Sequence, residues 1–278
     1  MRYAFNTWCY GSFPTWLPAY PLPLVIERLA RLGYDGIEIG CAAPHAWPDF
    51  LSSADRRAIR QQLDEHGIEA SSLLPAPGGG PGGNPASPVE AERRWTRQHY
   101  CQVVDLAAEL GASRVLYIPG WLGFGTSRRD AWAWSLQTLQ AVADHAEQYG
   151  ITICVEPTPA DSNFVDTPDH ALEMMFESGK ANVKVMLDTY HALYRQEVPA
   201  DQVYQMGEHL AHVHVADTDR LAPGHGSMDF VPFMQALHDV GFDGFVTMET
   251  GFNARSTHPD AQARASIEHL KSIEGSLR

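Results

Sequence analysis

The feature of this sequence that most constrains its fold is a regular alternation of short apolar runs with longer helical stretches. Eight such runs are predicted as strands, near residues 3–8, 35–40, 68–74, 113–118, 151–156, 183–188, 211–216 and 244–249. Five of them follow a glycine, which is the preferred residue where a helix ends in a left-handed conformation. These glycines are Gly33, Gly67, Gly111, Gly150 and Gly241. Such alternation favours parallel strands joined by right-handed helical crossovers.

Two α/β folds fit this alternation, and the first turn and the number of units distinguish them. An open doubly wound sheet usually has a glycine-rich phosphate turn after its first strand, whereas residues 6–10 read Asn-Thr-Trp-Cys-Tyr. Eight units in 278 residues are instead close to the roughly 250 residues of a (β/α)8 barrel. The sequence therefore predicts a TIM barrel, with residues 1–278 forming a single domain.

Two helix starts and one unusual loop can also be read from the sequence. Ser87-Pro88 with Glu90 predicts a capping box, and Thr167-Pro168 repeats the pattern of a cap followed by proline. Residues 75–88 are rich in glycine and proline but lack the Gly-Lys-Ser/Thr sequence of a P-loop. We interpret them as a rim loop on the active-site face rather than a phosphate cradle.

The charge balance argues against nucleic acid as a partner. There are 20 Lys and Arg against 34 Asp and Glu, and the resulting net charge of −14 repels phosphate backbones. No apolar run reaches the ~18 residues of a membrane span, so we expect no membrane partner. The 4 cysteines are widely spaced, which indicates reduced thiols rather than a disulfide framework. Together these features predict a cytoplasmic protein.

The last four predicted strands each end in an ionisable side chain. These residues are Glu156, Asp188, His214 and Glu249. One strand-end carboxylate alone is more often a helix cap or a surface ion-pair partner. Four in succession favour a shared site, because the carboxyl ends of barrel strands converge. Three carboxylates and an imidazole suit Mn²⁺, Mg²⁺ or Co²⁺, so the sequence predicts one divalent metal ion.

Two other inward-facing residues are expected to support this site. His212 precedes His214 by two residues and therefore points to the same side of its strand, one layer deeper in the barrel. Glu38 alternates inward on the second strand. We predict both as buried partners of the site rather than as metal ligands or catalysts.

Several motifs in the second half of the chain occur together. They are Glu156-Pro157, Leu187-Asp188-Thr189-Tyr190-His191, His212-x-His214 followed by Arg220, residues 223–230 (Pro-Gly-His-Gly-Ser-Met-Asp-Phe) and Met248-Glu249. As a set they resemble the xylose isomerase-like superfamily of sugar isomerases and epimerases. Within it, they are most similar to ketose 3-epimerases of the tagatose/psicose and fructoselysine types. Residues 32–39 resemble the second strand of the superfamily, and Pro44-His45-Ala46 resembles the loop that follows this strand in the fructoselysine enzyme. The likeness therefore covers nearly the whole chain.

The resemblance implies roles for the matched residues. The four strand-end residues would bind one divalent metal ion, Mn²⁺ above all, which would stabilise an enediolate. His191 and Arg220 would contact substrate oxygens. Glu156 and Glu249 would act as acid and base on the two faces of the sugar, a contribution of about 10²–10⁴-fold. The resemblance further implies a small sugar substrate and a homo-oligomer, either a dimer or a tetramer.

Three aromatic side chains follow the first, second and fourth strands. They are Trp8, His45 and Trp121. We interpret them as candidates for a pocket wall that covers the carbon face of the sugar. Ordinary loop packing is the alternative.

One position departs from the pattern of the tagatose/psicose enzymes. The tagatose/psicose enzymes carry a second Glu six residues after the first metal-binding Glu, and here that position is Ser162.

An aldose–ketose isomerase, a hydroxypyruvate-type isomerase or a dehydratase of the superfamily is the alternative, although the last two tend to carry Gln in place of His214. An endonuclease IV-like DNA repair enzyme is more remote, since it needs three metals and the negative charge opposes DNA docking. A non-catalytic carbohydrate-binding protein would not need the four strand-end residues.

Overall fold

The computed structural model describes residues 1–11, 19–76, 83–251 and 258–277. Eight parallel strands close into a barrel in chain order, with β1 hydrogen-bonded to both β2 and β8. The strands are β1 Arg2–Asn6, β2 Gly36–Cys41, β3 Glu69–Pro75, β4 Arg114–Tyr117, β5 Thr152–Val155, β6 Val183–Asp188, β7 Leu210–Val215 and β8 Phe245–Met248. The predicted (β/α)8 barrel is confirmed, and every strand lies within about two residues of its expected place.

Helices fill the connections and surround the barrel. They are α1 Leu22–Arg31, α2 Ser53–His66, α3 Glu90–Leu110, α4 Arg128–Glu147, α5 Pro168–Ser178, α6 Thr189–Tyr194, α7 Pro199–Met206, α8 Phe230–Asp239 and α9 Pro259–Glu274. Their apolar faces pack on the strands, as Val103 and Ala107 of α3 do, to form a continuous core. Among the described helices, none is both long and apolar enough to cross a membrane.

The two predicted helix starts have different outcomes. Thr167 caps α5 as expected, since its side chain accepts a hydrogen bond from the backbone of His170. The start predicted at Ser87 is wrong, because α3 begins only at Glu90. Ser87 Oγ instead accepts a hydrogen bond from Val89 N at 3.1 Å, which closes a turn ahead of the helix.

Only part of the predicted rim loop 75–88 can be placed, because residues 77–82 lie outside the described residues. Beyond them, Asn84 fastens the loop to the segment that follows β4. Asn84 Oδ1 accepts a hydrogen bond from Trp121 N at 3.1 Å, and Asn84 Nδ2 donates one to Trp121 O at 2.9 Å. The described end of the loop is therefore anchored at the carboxyl end of the barrel.

Candidate metal and substrate site

The four strand-end residues converge at the carboxyl end of the barrel, and we call them the rim quartet: Glu156, Asp188, His214 and Glu249. Asp188 is the last residue of β6 and pairs with His214 of β7, while the two glutamates directly follow β5 and β8. All four side chains are buried. His214 Nδ1 lies 3.1 Å from Glu249 Oε2 and 3.8 Å from Glu156 Oε1. One imidazole nitrogen thus faces carboxylates from two different strands.

A set of polar side chains directly below the quartet holds His214 in place. We call Asn6, Glu38, Ser72 and His212 the inner network. The fully buried Glu38 accepts hydrogen bonds from Asn6 Nδ2 and Ser72 Oγ, both at 2.7 Å. Its Oε2 lies 2.8 Å from His212 Nε2 and its Oε1 lies 2.7 Å from His214 Nε2. His214 therefore uses Nε2 to bind Glu38 and presents Nδ1 to the quartet, as a metal-binding histidine requires.

The two layers differ in their electrostatics. Burial would raise the pKa of Glu38, but His214 and His212 hold it well below its usual value. Burial raises the pKa of Glu156 well above its usual value, and Glu249 adds to this rise against the opposing effect of His214. Burial lowers the pKa of His214, yet Glu38 and Glu249 more than reverse that effect and raise it. Carboxylates of both layers therefore favour positive charge around His214.

The donor set of the rim quartet fits a divalent cation. Two of its buried atoms, His214 Nδ1 and Asp188 Oδ2, lie 3.1 Å from Glu249 Oε2 and 2.6 Å from Arg220 Nη1 respectively, and each has a lone pair that a cation can bind. The ligand atoms of Asp188, His214 and Glu249 lie within 4.8 Å of one another, as do those of Glu156, Asp188 and His191. Carboxylate oxygens with one imidazole nitrogen suit hard divalent ions such as Mn²⁺ or Mg²⁺.

The two residues expected to contact substrate both reach the quartet. Arg220 Nη1 lies 2.6 Å from Asp188 Oδ2 and 2.7 Å from Glu249 Oε2, and the guanidinium carbon lies 4.3 Å from the centre of the Tyr190 ring. His191 Nε2 lies 3.8 Å from Asp188 Oδ2. Both side chains are buried. They place hydrogen-bond donors beside the carboxylates of the quartet.

Trp8, the aromatic residue expected after the first strand, packs inside the barrel mouth. It contacts a small apolar cluster composed of Leu74, Leu116, Cys154 and Met186. Its ring also occupies the space above Gly40, where a Cβ atom would lie 1.9 Å from Trp8 Nε1. Only glycine at that position leaves room for the indole. Trp8 is therefore placed to form an apolar wall next to the quartet.

His45 and Trp121 are held by other parts of the rim. His45 is buried, and its Nε2 makes a 2.8 Å hydrogen bond with the carbonyl oxygen of Tyr20. Trp121 is half-buried, and its backbone is bound to Asn84. Their predicted contact with a substrate stays a prediction.

Two residues of the site were not recognised from the sequence. Asn6 Nδ2, at the end of β1, bonds Glu38 Oε1 at 2.7 Å and Glu249 Oε1 at 3.1 Å, so it joins the two layers. Asp161 Oδ2 lies 3.7 Å from His191 Nε2. Asn6 carries the same signal as the quartet, since it is a polar residue that ends an apolar run. Asp161 lies in an irregular loop, where no periodicity points to it.

Comparison with known protein families assigns the chain. A profile described as xylose isomerase-like TIM barrel matches residues 26–273. The chain belongs to this family. A solved structure shares its arrangement: that of D-psicose 3-epimerase with D-tagatose from Clostridium cellulolyticum H10 has a TM-score of 0.84 at 22% identity, covering 98% of this chain and 99% of the other. This likeness supports the fold.

Sequence relatives of the chain include ketose 3-epimerases. Fructoselysine 3-epimerase from Shigella flexneri is 24% identical over 269 residues, covering 95% of this chain and 97% of the relative. D-psicose 3-epimerase from Agrobacterium fabrum is 30% identical over 232 residues, covering 81% of this chain and 77% of the relative. The chain is therefore an enzyme of the isomerase class that is similar to ketose 3-epimerases.

Proposed function

We propose that this protein is a divalent-metal-dependent epimerase that inverts carbon 3 of a ketose or a ketose derivative. The observation that carries the proposal is the position of two buried glutamates around one imidazole nitrogen. Glu156 Oε1 lies 3.8 Å and Glu249 Oε2 lies 3.1 Å from His214 Nδ1. Inversion needs one group to remove a proton from one face of the sugar and another to return a proton to the opposite face. Glu156 after β5 and Glu249 after β8 would meet that need.

The rim quartet would hold the metal ion, with His214 binding through Nδ1. Mn²⁺ is our first choice, and Mg²⁺ or Co²⁺ would suit the same oxygen-rich donor set. When bound, the ion supplies Lewis-acid stabilisation of negative charge on the sugar oxygens. The ligand atoms of Asp188, His214 and Glu249, which lie within 4.8 Å of one another, support this assignment.

The side chains of the protein would move the proton and steady the sugar. Glu156 is a candidate for one of the two proton-transfer roles, in which one carboxyl group holds a proton while another carboxylate accepts one. Glu249 is the candidate for that second role, and which of the two abstracts depends on the handedness of the sugar. Both would reach carbon 3 while the adjacent ketone takes up the negative charge of the enediolate.

His191 and Arg220 would donate hydrogen bonds to the oxygens where that charge develops. Ala160 N donates a 3.4 Å hydrogen bond to His191 Nδ1, which leaves the proton of the neutral ring on Nε2. Burial lowers the pKa of His191, so the neutral form is favoured. Arg220 provides a permanent positive charge beside Asp188.

The position that differs from the tagatose/psicose enzymes widens the range of substrates to test. Ser162 Oγ donates a 2.6 Å hydrogen bond to the carbonyl oxygen of Gly120. The side chain is thus used to join two rim loops and supplies no carboxylate to a sugar. We therefore extend the proposal to derivatives such as fructoselysine, and we propose that the enzyme acts as a homodimer or homotetramer.

Deuterium exchange at carbon 3 tests the proposal. The Mn²⁺-loaded protein is incubated in D2O with a panel of ketohexoses and fructoselysine, and the products are examined by NMR. We expect deuterium at carbon 3 together with the 3-epimer of an accepted sugar. Exchange at carbon 1 with formation of an aldose would instead assign an aldose–ketose isomerase. Absence of exchange with every sugar of the panel would contradict the proposal.

A further inference from the structure

The loop of residues 217–228 carries Arg220 to the rim quartet in an uncommon backbone conformation. Asp219 and Arg220 have φ angles of 58° and 60°, so two consecutive residues that are not glycine lie in the left-handed region. Such residues persist only where the surrounding structure holds them. At the same time Arg220 Nη1 lies 2.6 Å from Asp188 Oδ2. The position of the guanidinium therefore depends on what fixes the loop.

The carboxylate of Asp217 ties the two ends of this loop together. It is fully buried and accepts four backbone hydrogen bonds. Oδ1 accepts from Thr218 N at 2.8 Å and from Met228 N at 2.9 Å. Oδ2 accepts from Gly224 N and Gly226 N, both at 3.0 Å. One side chain thus accepts hydrogen bonds from four amides between residues 218 and 228, and Arg220 lies within that stretch.

The fit around this carboxylate is tight. A Cβ atom at Gly226 would lie 2.3 Å from Asp217 Oδ1 and 2.3 Å from Thr218 Oγ1, so only glycine allows the approach. On the opposite side, Gly251 N donates a 2.8 Å hydrogen bond to the carbonyl oxygen of Arg220. Arg220 is therefore clamped between the Asp217 loop and the segment that follows β8.

We infer that Asp217 is a positioning residue that sets the guanidinium of Arg220 against the rim quartet by ordering residues 217–228. The kinetic consequence of this role rests on the proposed epimerase function. Asparagine has nearly the same size but only one acceptor oxygen, and its NH2 group would face backbone N–H donors. The loop of an Asp217→Asn variant would lose bonds on one side, and Arg220 would leave its left-handed conformation.

A double-mutant cycle separates positioning from general support of the fold. Asp217→Asn should lower kcat/KM about 100-fold, as expected for a small misplacement of a catalytic group. In an Arg220→Lys background the same change should alter kcat/KM less than about threefold, because the two residues act as one unit. Equal losses in both backgrounds, or full activity of Asp217→Asn, would overturn the inference.

The same segment offers a matched control. Asp229 Oδ1 accepts a 2.9 Å hydrogen bond from Val231 N at the start of α8 and so also binds backbone. Asp229→Asn should keep the kcat/KM of the wild type, because its carboxylate lies outside the loop. If Asp217→Asn fails to fold, Gly226→Ala displaces the Asp217 carboxylate from the other side. It should show the same loss and the same dependence on Arg220, and full activity of Gly226→Ala would count against the role.

A second readout needs no substrate. In a crystal structure of Asp217→Asn, or of Gly226→Ala, Arg220 should have a negative φ and its guanidinium should lie away from Asp188 and Glu249. An unchanged Arg220 would overturn the inference. If the wild type converts no sugar, the proposed function fails, and this structural comparison alone decides the role of Asp217.

Discussion

Two buried glutamates inside the same barrel, Glu38 and Glu156, have opposite surroundings. Glu38 binds four side chains of the barrel interior: Asn6, Ser72, His212 and His214. Glu156 receives no hydrogen bond to its carboxylate from the described residues, and the nearest imidazole nitrogens lie 3.8 and 3.9 Å away. The pKa of Glu38 lies below its usual value and that of Glu156 lies above it.

This difference distinguishes a carboxylate that supports the site from one that is available for the proposed chemistry. A carboxylate whose acceptor positions are all used rigidifies its neighbours, as Glu38 fixes the orientation of His214. A buried carboxylate with few partners is costly to ionise, so it holds a proton or needs a cation. Glu156 therefore keeps the binding capacity that Glu38 has already used.

The largest expected effect is the loss of turnover in a quartet variant. Glu156→Gln should lower kcat about 10²–10⁴-fold, because an amide cannot transfer the proton. The free energy of unfolding of the metal-free protein should stay unchanged or rise, since a poorly solvated carboxyl group is removed. Steady-state kinetics and urea unfolding measure the two quantities, with the exposed Glu173→Gln as control. Near-normal kcat would remove Glu156 from the mechanism.

The matching change in the inner network should act on stability. In Glu38→Gln, one acceptor oxygen replaces two and the amide group faces donors, so we expect a loss of about 3–5 kcal/mol in the free energy of unfolding. The affinity for Mn²⁺ should also fall about 10–100-fold, because His214 loses its orienting partner. Urea unfolding and calorimetric titration with Mn²⁺ give both values. If Glu38→Gln unfolds like the wild type, the distinction between the layers is wrong.

The smallest effect is expected at the apolar wall. Trp8→Phe keeps an aromatic ring above Gly40 but reduces the apolar surface available to a sugar. A loss of about 20–60 Å² of apolar contact costs about 0.5–1.5 kcal/mol, so KM should rise about two- to tenfold while kcat changes little. Trp132→Phe on α4, whose indole donates to Glu177, is the control. A fall in kcat with constant KM would show that Trp8 acts on the quartet rather than on the substrate.

The sequence predicted those features that depend on local pattern. Apolar runs placed all eight strands, and the rule that strand ends converge brought Glu156, Asp188, His214 and Glu249 together. Glu38 contacts His212, which lies 174 positions further along the chain, and His214, which lies 176 positions further. No local pattern reveals contacts over such separations, so only the burial and the supporting role of Glu38 could be anticipated.

Short-range bonds of polar side chains limited the rest of the prediction. Ser87 caps a turn instead of α3, because its hydroxyl bonds the chain two residues onward. Asp217 likewise binds backbone up to residue 228. No periodicity reports such bonds, since they depend on the path of an irregular loop.

The identity of the metal ligands tests the central claim most directly. Anomalous diffraction from a crystal loaded with Mn²⁺ locates the ion and its partners. We predict one peak bound by Glu156, Asp188, Glu249 and Nδ1 of His214, with Nε2 of His214 still on Glu38. A peak bound by Glu38 and His212, or an ion that leaves Glu156 or Glu249 unbound, would contradict the division between the rim quartet and the inner network.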